Sequence, residues 1–292
     1  MHEPALRAAA FGSDPRPDPA ATRGRGSPRE RLLAAIVLGA QGRYAAAATL
    51  LGVLRRDGDP VTASLAASTL ASHRRQLGGH RQARALDGEA LAKASTPGAG
   101  TGTGTAPGRD PDGLDAPGAR ADALLGLAAD NLALGRLSAA RRLAARAADH
   151  DTGWRARVRG GWVGAEIELA AGQGAAAVPH AERAFETALA RGARRHAVKS
   201  GIVLAVALRA AGAPDHRKIS DDLVGNAMAT AEECELLSLL WPAALVAADL
   251  RPGHAEEYRF RVAQVLHAVL RSADPCGRRV AGESPWVPVP GG

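Results

Sequence analysis

Residues 121–149 have the sequence ADALLGLAADNLALGRLSAARRLAARAAD, which predicts two short helices joined at Gly135. On both sides of this glycine, apolar residues recur at close to helical spacing. These positions are Leu124, Leu127, Ala128 and Leu134 before the glycine, and Leu137, Ala140, Ala144 and Ala147 after it. Many of these side chains are alanine, so the two helices can lie close together. One such hairpin cannot bury both of its faces, and we therefore expect similar hairpins stacked on either side of it.

Glycines that mark such turns recur along the chain, at Gly42, Gly78, Gly135, Gly172, Gly212 and Gly253. The spacings between them are 36, 57, 37, 40 and 41 residues. The long spacing contains residues 95–118, a Gly-, Thr- and Pro-rich stretch that we interpret as an insertion between two hairpins. Without the insertion, the spacings agree with a helical-repeat array of about six antiparallel hairpins.

The composition of the segments predicts the organisation of the chain. Stretches rich in Pro and Gly are typical of disorder, and Ser27-Pro28-Arg29-Glu30 predicts a capped helix start. We expect a disordered segment at 1–27, hairpins one and two at 28–94, a flexible insertion at 95–120, hairpins three to six with a C-terminal capping helix at 121–273, and a disordered tail at 274–292.

The composition also restricts the class of protein. Of 292 residues, 46% are hydrophobic but only 3% are aromatic, which favours close-packed helices over an aromatic-rich β-sandwich. Cys234 and Cys276 lie far apart, so neither a disulfide framework nor a zinc site is indicated. The sequence has no signal-peptide pattern and no run of about 18 apolar residues. We therefore expect a cytoplasmic protein without membrane contact, and the sequence leaves its oligomeric state open.

The net charge of +7 is compatible with an acidic partner or with nucleic acid. The chain has only three lysines, so arginine carries almost all of the basicity. Scattered arginines on solvated helix faces would give the same composition without any function. Charge alone therefore does not choose between these interpretations.

The hairpins resemble the tetratricopeptide (TPR) repeat family. In the first hairpin, Gly42 is followed by Tyr44 and Ala47, and Asp59-Pro60 closes the unit. The second helix of the fourth hairpin is also similar to the family pattern, through Ala181, Phe185, Ala188 and Leu189. The repeats are longer than the family's usual length of about 34 residues. The resemblance implies an all-α, right-handed α-solenoid that is TPR-like, as in the sensory regions of large bacterial regulators.

The resemblance also implies a ligand groove, because the first helices of TPR-like hairpins line the concave face. Transferring the groove positions onto this sequence gives Ser72, Arg75, Arg159, Trp162, Glu166, Lys199 and Arg209. Four of these seven are cationic, which suits a carboxylate-bearing or phosphorylated peptide. Trp162 also shares a helical stripe with Trp154 and Val158, so core packing is an alternative explanation for it.

The sequence contains no GxSxG, GxxxxGK[ST] or HExxH motif, and no two histidines are spaced i, i+4. We therefore predict a non-enzymatic scaffold or adaptor without a metal or cofactor, which binds a protein or peptide partner, acidic in character. An unrecognised all-α enzyme is a further alternative.

The second hypothesis is a transcription-associated regulatory module that acts on nucleic acid through its basic surface. It requires the Arg-Arg pairs to form one stripe, and these pairs lie at 55–56, 74–75, 141–142, 194–195 and 278–279.

Overall fold

The computed structural model describes residues 3–16, 26–96, 109–150 and 153–288, and within these residues the regular structure is entirely helical. The α-helices are α1 Glu3–Phe11, α2 Pro28–Ala40, α3 Tyr44–Leu54, α4 Pro60–Gln76, α5 His80–Ala94, α6 Ala116–Ala133, α7 Leu137–His150, α8 Trp154–Ala170, α9 Gly174–Ala190, α10 Arg194–Ala211, α11 His216–Glu233, α12 Leu237–Leu250, α13 Ala255–Arg271 and α14 Pro275–Glu283. A short 3₁₀ turn, Pro252–His254, precedes α13.

Side-chain caps fix where several helices begin. Ser27 accepts a hydrogen bond from the Glu30 backbone N–H, and the Glu30 carboxylate accepts one from the Ser27 N–H, which confirms the predicted capped start of α2. Asp59 and Asp115 cap α4 and α6 in a similar way, each followed within two residues by a proline in the first turn. Pro179 lies inside α9.

Helices that are adjacent in sequence pack against each other, as in a helical repeat. The helices α2, α4, α6, α8, α10 and α12 form an inner row, because each contacts the next member of the row. The row closes on itself, since α12 also contacts α2. The concave face of the array is therefore turned inward around a central space.

Alanine lines many of these helix contacts, as the low aromatic content predicted. Ala67, Ala90 and Ala123 form one fully buried cluster between α4, α5 and α6. Ala165, Ala177 and Ala181 are fully buried between α8 and α9. Small side chains at these positions bring the helix axes close together without leaving voids.

The expectation of disorder at 1–27 is wrong for its first part. Residues 3–11 form α1, in which Leu6, Ala9, Ala10 and Phe11 are buried. The ring of Phe11 lies edge-on to Trp154, with the ring centroids 6.4 Å apart. The expectation rests on Pro15, Pro17 and Pro19, which follow this helix in the sequence, and residues 17–25 are outside the described residues. Helix α1 contacts both α2 and α10, and so links the first helix of the inner row to the fifth.

The expectation of a disordered tail at 274–292 is also wrong for residues 274–288. Asp274 caps α14, and Val280 and Val287 are buried against the turn between α4 and α5. At that turn, Gly78 has a φ of +75°, and a Cβ atom there would lie 1.9 Å from the Ser284 hydroxyl. Only glycine satisfies both the left-handed backbone and this close approach. Residues 289–292 are outside the described residues.

The predicted flexible insertion at 95–120 ends earlier in the sequence than expected. Residues 97–108 are outside the described residues, whereas 109–115 form an ordered loop and α6 begins at Ala116. Arg7 of α1 anchors this loop through ion pairs with Asp110 at 2.6 Å and Asp112 at 2.7 Å. These contacts join residues about a hundred positions apart, which local composition does not reveal. Within the described residues, no helix is long and apolar enough to cross a membrane.

The packing of α1 gives a testable prediction. Phe11→Ala should lower the free energy of unfolding by about 3 kcal/mol, because it removes a buried aromatic ring from the junction of α1, α8 and α10. Urea unfolding followed by circular dichroism measures this change. Val53→Ala is the control, since Val53 is 50% exposed and its truncation should have little effect. Equal stability of the two variants would show that α1 is not docked.

A cationic cavity at the centre of the helical array

The inner row of helices encloses a cavity of about 640 Å³. Every helix of the row contributes lining residues, and Phe11 of α1 and Trp286 near the C-terminal end contribute as well. This volume lies within the range of about 300–1,000 Å³ that is typical of ligand pockets in proteins. The concave face, on which the family resemblance implied a ligand groove, thus surrounds a partly open cavity.

Six of the seven residues predicted for the groove line this cavity: Ser72, Arg75, Arg159, Trp162, Glu166 and Lys199. Arg209 does not line it. Helix α10 faces the cavity with its first turns, through Arg195, His196 and Lys199, so its last turn, which holds Arg209, lies beyond the cavity.

Two arginines of α8 share one acidic partner in the cavity wall. Arg155 pairs with the Asp122 carboxylate at 2.7 Å, and Arg159 pairs with the other oxygen of the same carboxylate. Arg155 also donates hydrogen bonds to the backbone carbonyls of Asp112 and Gly113, at 2.7 and 3.1 Å. These bonds hold the two guanidinium groups in fixed positions beside one carboxylate, which leaves the pair with an excess of positive charge.

At Arg75 the carboxylates outnumber the cation, because two buried carboxylates surround its guanidinium group. Its Nε donates to Asp130 at 2.8 Å, and its Nη2 donates to Asp87 and to the Gly126 carbonyl. Burial raises the pKa of the Asp87 carboxyl from 3.8 to about 7; the nearby Asp130 adds to this rise, while Arg75 opposes it. Near neutral pH the Asp87 carboxyl is therefore partly protonated.

Lys199 and Trp162 form a cation–π pair in the wall of the cavity. The Lys199 ammonium lies 4.6 Å from the centroid of the indole ring, and 3.8 Å from the Glu166 carboxylate. The indole N–H donates to the Ser200 hydroxyl at 2.7 Å, which fixes the ring plane. Burial lowers the pKa of Lys199, and nearby arginines lower it further, whereas Glu166 opposes them.

Arg195 lines the cavity but is not among the residues that the family resemblance placed in the groove. Its Nε is shielded from solvent and has no hydrogen-bond partner among the described residues. Burial lowers its pKa to about 10, and the positive charges of Arg155 and Arg159 contribute to the same shift. A signal was present in the sequence, since Arg194, Arg195 and His196 begin α10, where the helix dipole favours acidic residues instead.

Two neutral histidines complete the wall. His196 is 3% exposed and stacks on Trp162, with a centroid distance of 5.7 Å. His73 contacts Tyr44 at 5.2 Å between ring centroids. Burial, with help from neighbouring arginines, lowers the pKa of His73 to about 3 and that of His196 well below its usual value. Both imidazoles are therefore uncharged at neutral pH, and in each the Nδ1 atom has no hydrogen-bond partner among the described residues.

The cavity is thus a cationic, partly aromatic space. Apart from Arg195, its charged groups are held by one another and by backbone carbonyls, so their positions are fixed within the protein itself. Within the described part of the chain, no three His, Cys, Asp or Glu side chains are grouped so that they could hold a metal ion.

Comparisons with known proteins give no family. No family model matches the chain, and no curated protein matches it. Among solved structures, the chain is similar to BtubC (BKLC) from P. vanneervenii, with 16% identity and a TM-score of 0.42. The match covers 86% of this chain and 95% of BtubC. At this level of similarity, the match carries no argument about function.

The buried carboxyl of Asp87 gives a prediction about pH. A carboxyl whose pKa is raised in the folded state binds its proton more tightly than in the unfolded state. The contribution of Asp87 to stability is therefore complete below pH 3.8 and is lost as the pH rises through about 7. Relative to the wild type, Asp87→Asn should become steadily more stable over this range.

Urea unfolding of wild type and variant at several pH values between about 4 and 8 measures this difference. Asp149→Asn is the control, because Asp149 is exposed on α7 and does not line the cavity. A difference that is independent of pH for Asp87→Asn would contradict the assignment.

Proposed function

We propose that the protein is a non-enzymatic, cytoplasmic scaffold or adaptor that binds an acidic peptide or protein segment in its central cavity. In this proposal the inner row is the concave face of a TPR-like array of about six hairpins with a right-handed superhelix. The observation that carries it is that six residues chosen as groove positions line one cavity in which cations outnumber acids. A cationic space with fixed guanidinium groups is suited to carboxylate and phosphate groups.

The closure of the inner row restricts how such a partner binds. Because α12 contacts α2, an extended helix could not lie across the concave face as it does in an open groove. A chain end or a short loop fits a cavity of about 640 Å³ better. Trp286 is 63% exposed and lines the cavity, so an entering segment would pass beside an indole ring.

The placement of the arginine pairs favours this proposal over nucleic-acid binding. Arg74 is buried in an ion pair with Asp274 at 2.7 Å, and Arg195 lines the cavity. Arg55 and Arg141 pair with the carboxylates of Glu89 and Glu168. These side chains are therefore not all available to form one exposed basic stripe along a phosphate backbone.

Two lysines provide a test of the proposal, because Lys199 lies in the cavity wall and Lys218 lies on the surface. The probe is a fluorescent peptide rich in Asp and Glu, and Lys199→Gln should bind it about tenfold more weakly than the wild type, as expected for one charge-assisted contact. Lys218→Gln, on the exposed face of α11, is the control and should bind as the wild type does. Fluorescence anisotropy measures both affinities, with an Asn- and Gln-containing peptide of the same length as the reference.

Two results would contradict the proposal. One is equal loss of affinity in the Lys199 and Lys218 variants, which would indicate attraction to the surface as a whole. The other is binding of duplex DNA that is tighter than binding of the acidic peptide and unaffected by Lys199→Gln. That result would support the nucleic-acid hypothesis instead.

A further inference from the structure

Arg195 is exceptional among the cavity arginines because no described residue balances its charge. Arg75, Arg155 and Arg159 each pair with one or two carboxylates. Among the described residues, Arg195 has neither an ion pair nor a hydrogen bond, and its Nε is shielded from water although the residue as a whole is only half-buried. A guanidinium group with a shielded nitrogen and no counter-charge is less stable than one paired with a carboxylate. The position is therefore suited to an anion that is not part of the chain.

The charges around Arg195 indicate how many negative charges this anion carries. The cations of α8 and α10 that line the cavity are Arg155, Arg159, Arg195 and Lys199. Asp122 and Glu166 are the carboxylates that face them, so two positive charges remain unbalanced. Arg75 does not add to this excess, because Asp87 and Asp130 already surround it. A dianion would neutralise the excess, whereas one carboxylate would leave half of it.

The backbone adds to the positive potential at this place. Arg195 is the second residue of α10, and the N-terminus of a helix carries a partial positive charge. Acidic side chains are favoured at such positions, yet α10 begins with Arg194, Arg195 and His196. The helix dipole and the side chains therefore act in the same direction on a bound anion.

His196 supplies a second group without a partner. It is 3% exposed, it lines the cavity beside Arg195, and its Nδ1 atom makes no hydrogen bond to the described residues. Since a neutral imidazole carries one N–H, it can donate to an oxygen of the anion. Trp162 stacks on the imidazole and fixes its plane.

We propose that Arg195, together with Arg159, Lys199 and His196, forms a subsite for a phosphate monoester group. This inference deepens the proposed function, since it identifies the recognised part of the acidic partner as a phosphorylated side chain. The tetrahedral dianion accepts hydrogen bonds on several sides at once, which matches guanidinium, ammonium and imidazole donors that come from two helices. The remaining cavity walls hold the residues that flank the phosphate.

Inorganic phosphate is the probe for the subsite, and Arg195→Gln is the variant. In buffer without phosphate, this variant should melt at the same temperature as the wild type or higher, because it removes a positive charge that no described carboxylate balances. Phosphate should raise the melting temperature of the wild type by a few degrees. It should leave that of Arg195→Gln unchanged, and calorimetric titration should show at least tenfold weaker phosphate binding by the variant.

Arg217→Gln is the matched control, since Arg217 is exposed on α11 and should respond to phosphate as the wild type does. Chloride at the same ionic strength separates binding from screening. Equal responses of the Arg195 and Arg217 variants would overturn the subsite. Acetate that competes with phosphate on equal terms would overturn the choice of a dianion.

The acidic peptide separates this inference from the proposed function. Peptide binding that is sensitive to Lys199→Gln but not to Arg195→Gln or phosphate would leave the proposed function intact and refute the subsite. Phosphate binding that depends on Arg195, without any binding of acidic or phosphorylated peptides, would support the subsite and refute a peptide partner.

Discussion

Closure of the helical array depends on apolar contacts between its two ends. Tyr44, at the start of α3, is fully buried in one hydrophobic cluster with Leu240 of α12 and Leu266 of α13. Val280 of α14 extends the same cluster to the turn between α4 and α5. These contacts hold α12 against α2, and they turn a row of helices into a wall around a cavity. The positions of the charged groups inside the cavity depend on this apolar cluster.

The helices themselves could be predicted from local pattern. Turn glycines, caps such as Ser27 with Glu30, and alanine at helical spacing are signals that lie within a few residues of one another. The closure could not be predicted in the same way. The ion pair between Arg74 and Asp274 joins positions 200 residues apart, and Arg7 reaches Asp110 across 103. A single sequence does not show that such residues meet, so α1 and α14 were expected to be disordered.

Only part of the site could be predicted, again because some of its contacts join distant parts of the chain. The family resemblance identified positions on inner helices, and six of them line the cavity. It missed Asp122 and Arg155, because their importance comes from the pairing of α6 with α8. It also missed Arg195 and His196, which lie before the transferred positions of α10. The same transfer placed Arg209 in the groove, but Arg209 lies in the last turn of α10, beyond the cavity.

The contact of α14 with the turn between α4 and α5 has a consequence for synthesis of the protein. In an open solenoid, each repeat can dock on its predecessor as it leaves the ribosome. Here Arg74, in the second hairpin, can form its ion pair only after Asp274, 200 positions later in the sequence, has been translated. The packing around this turn is therefore completed only after α14 has been translated.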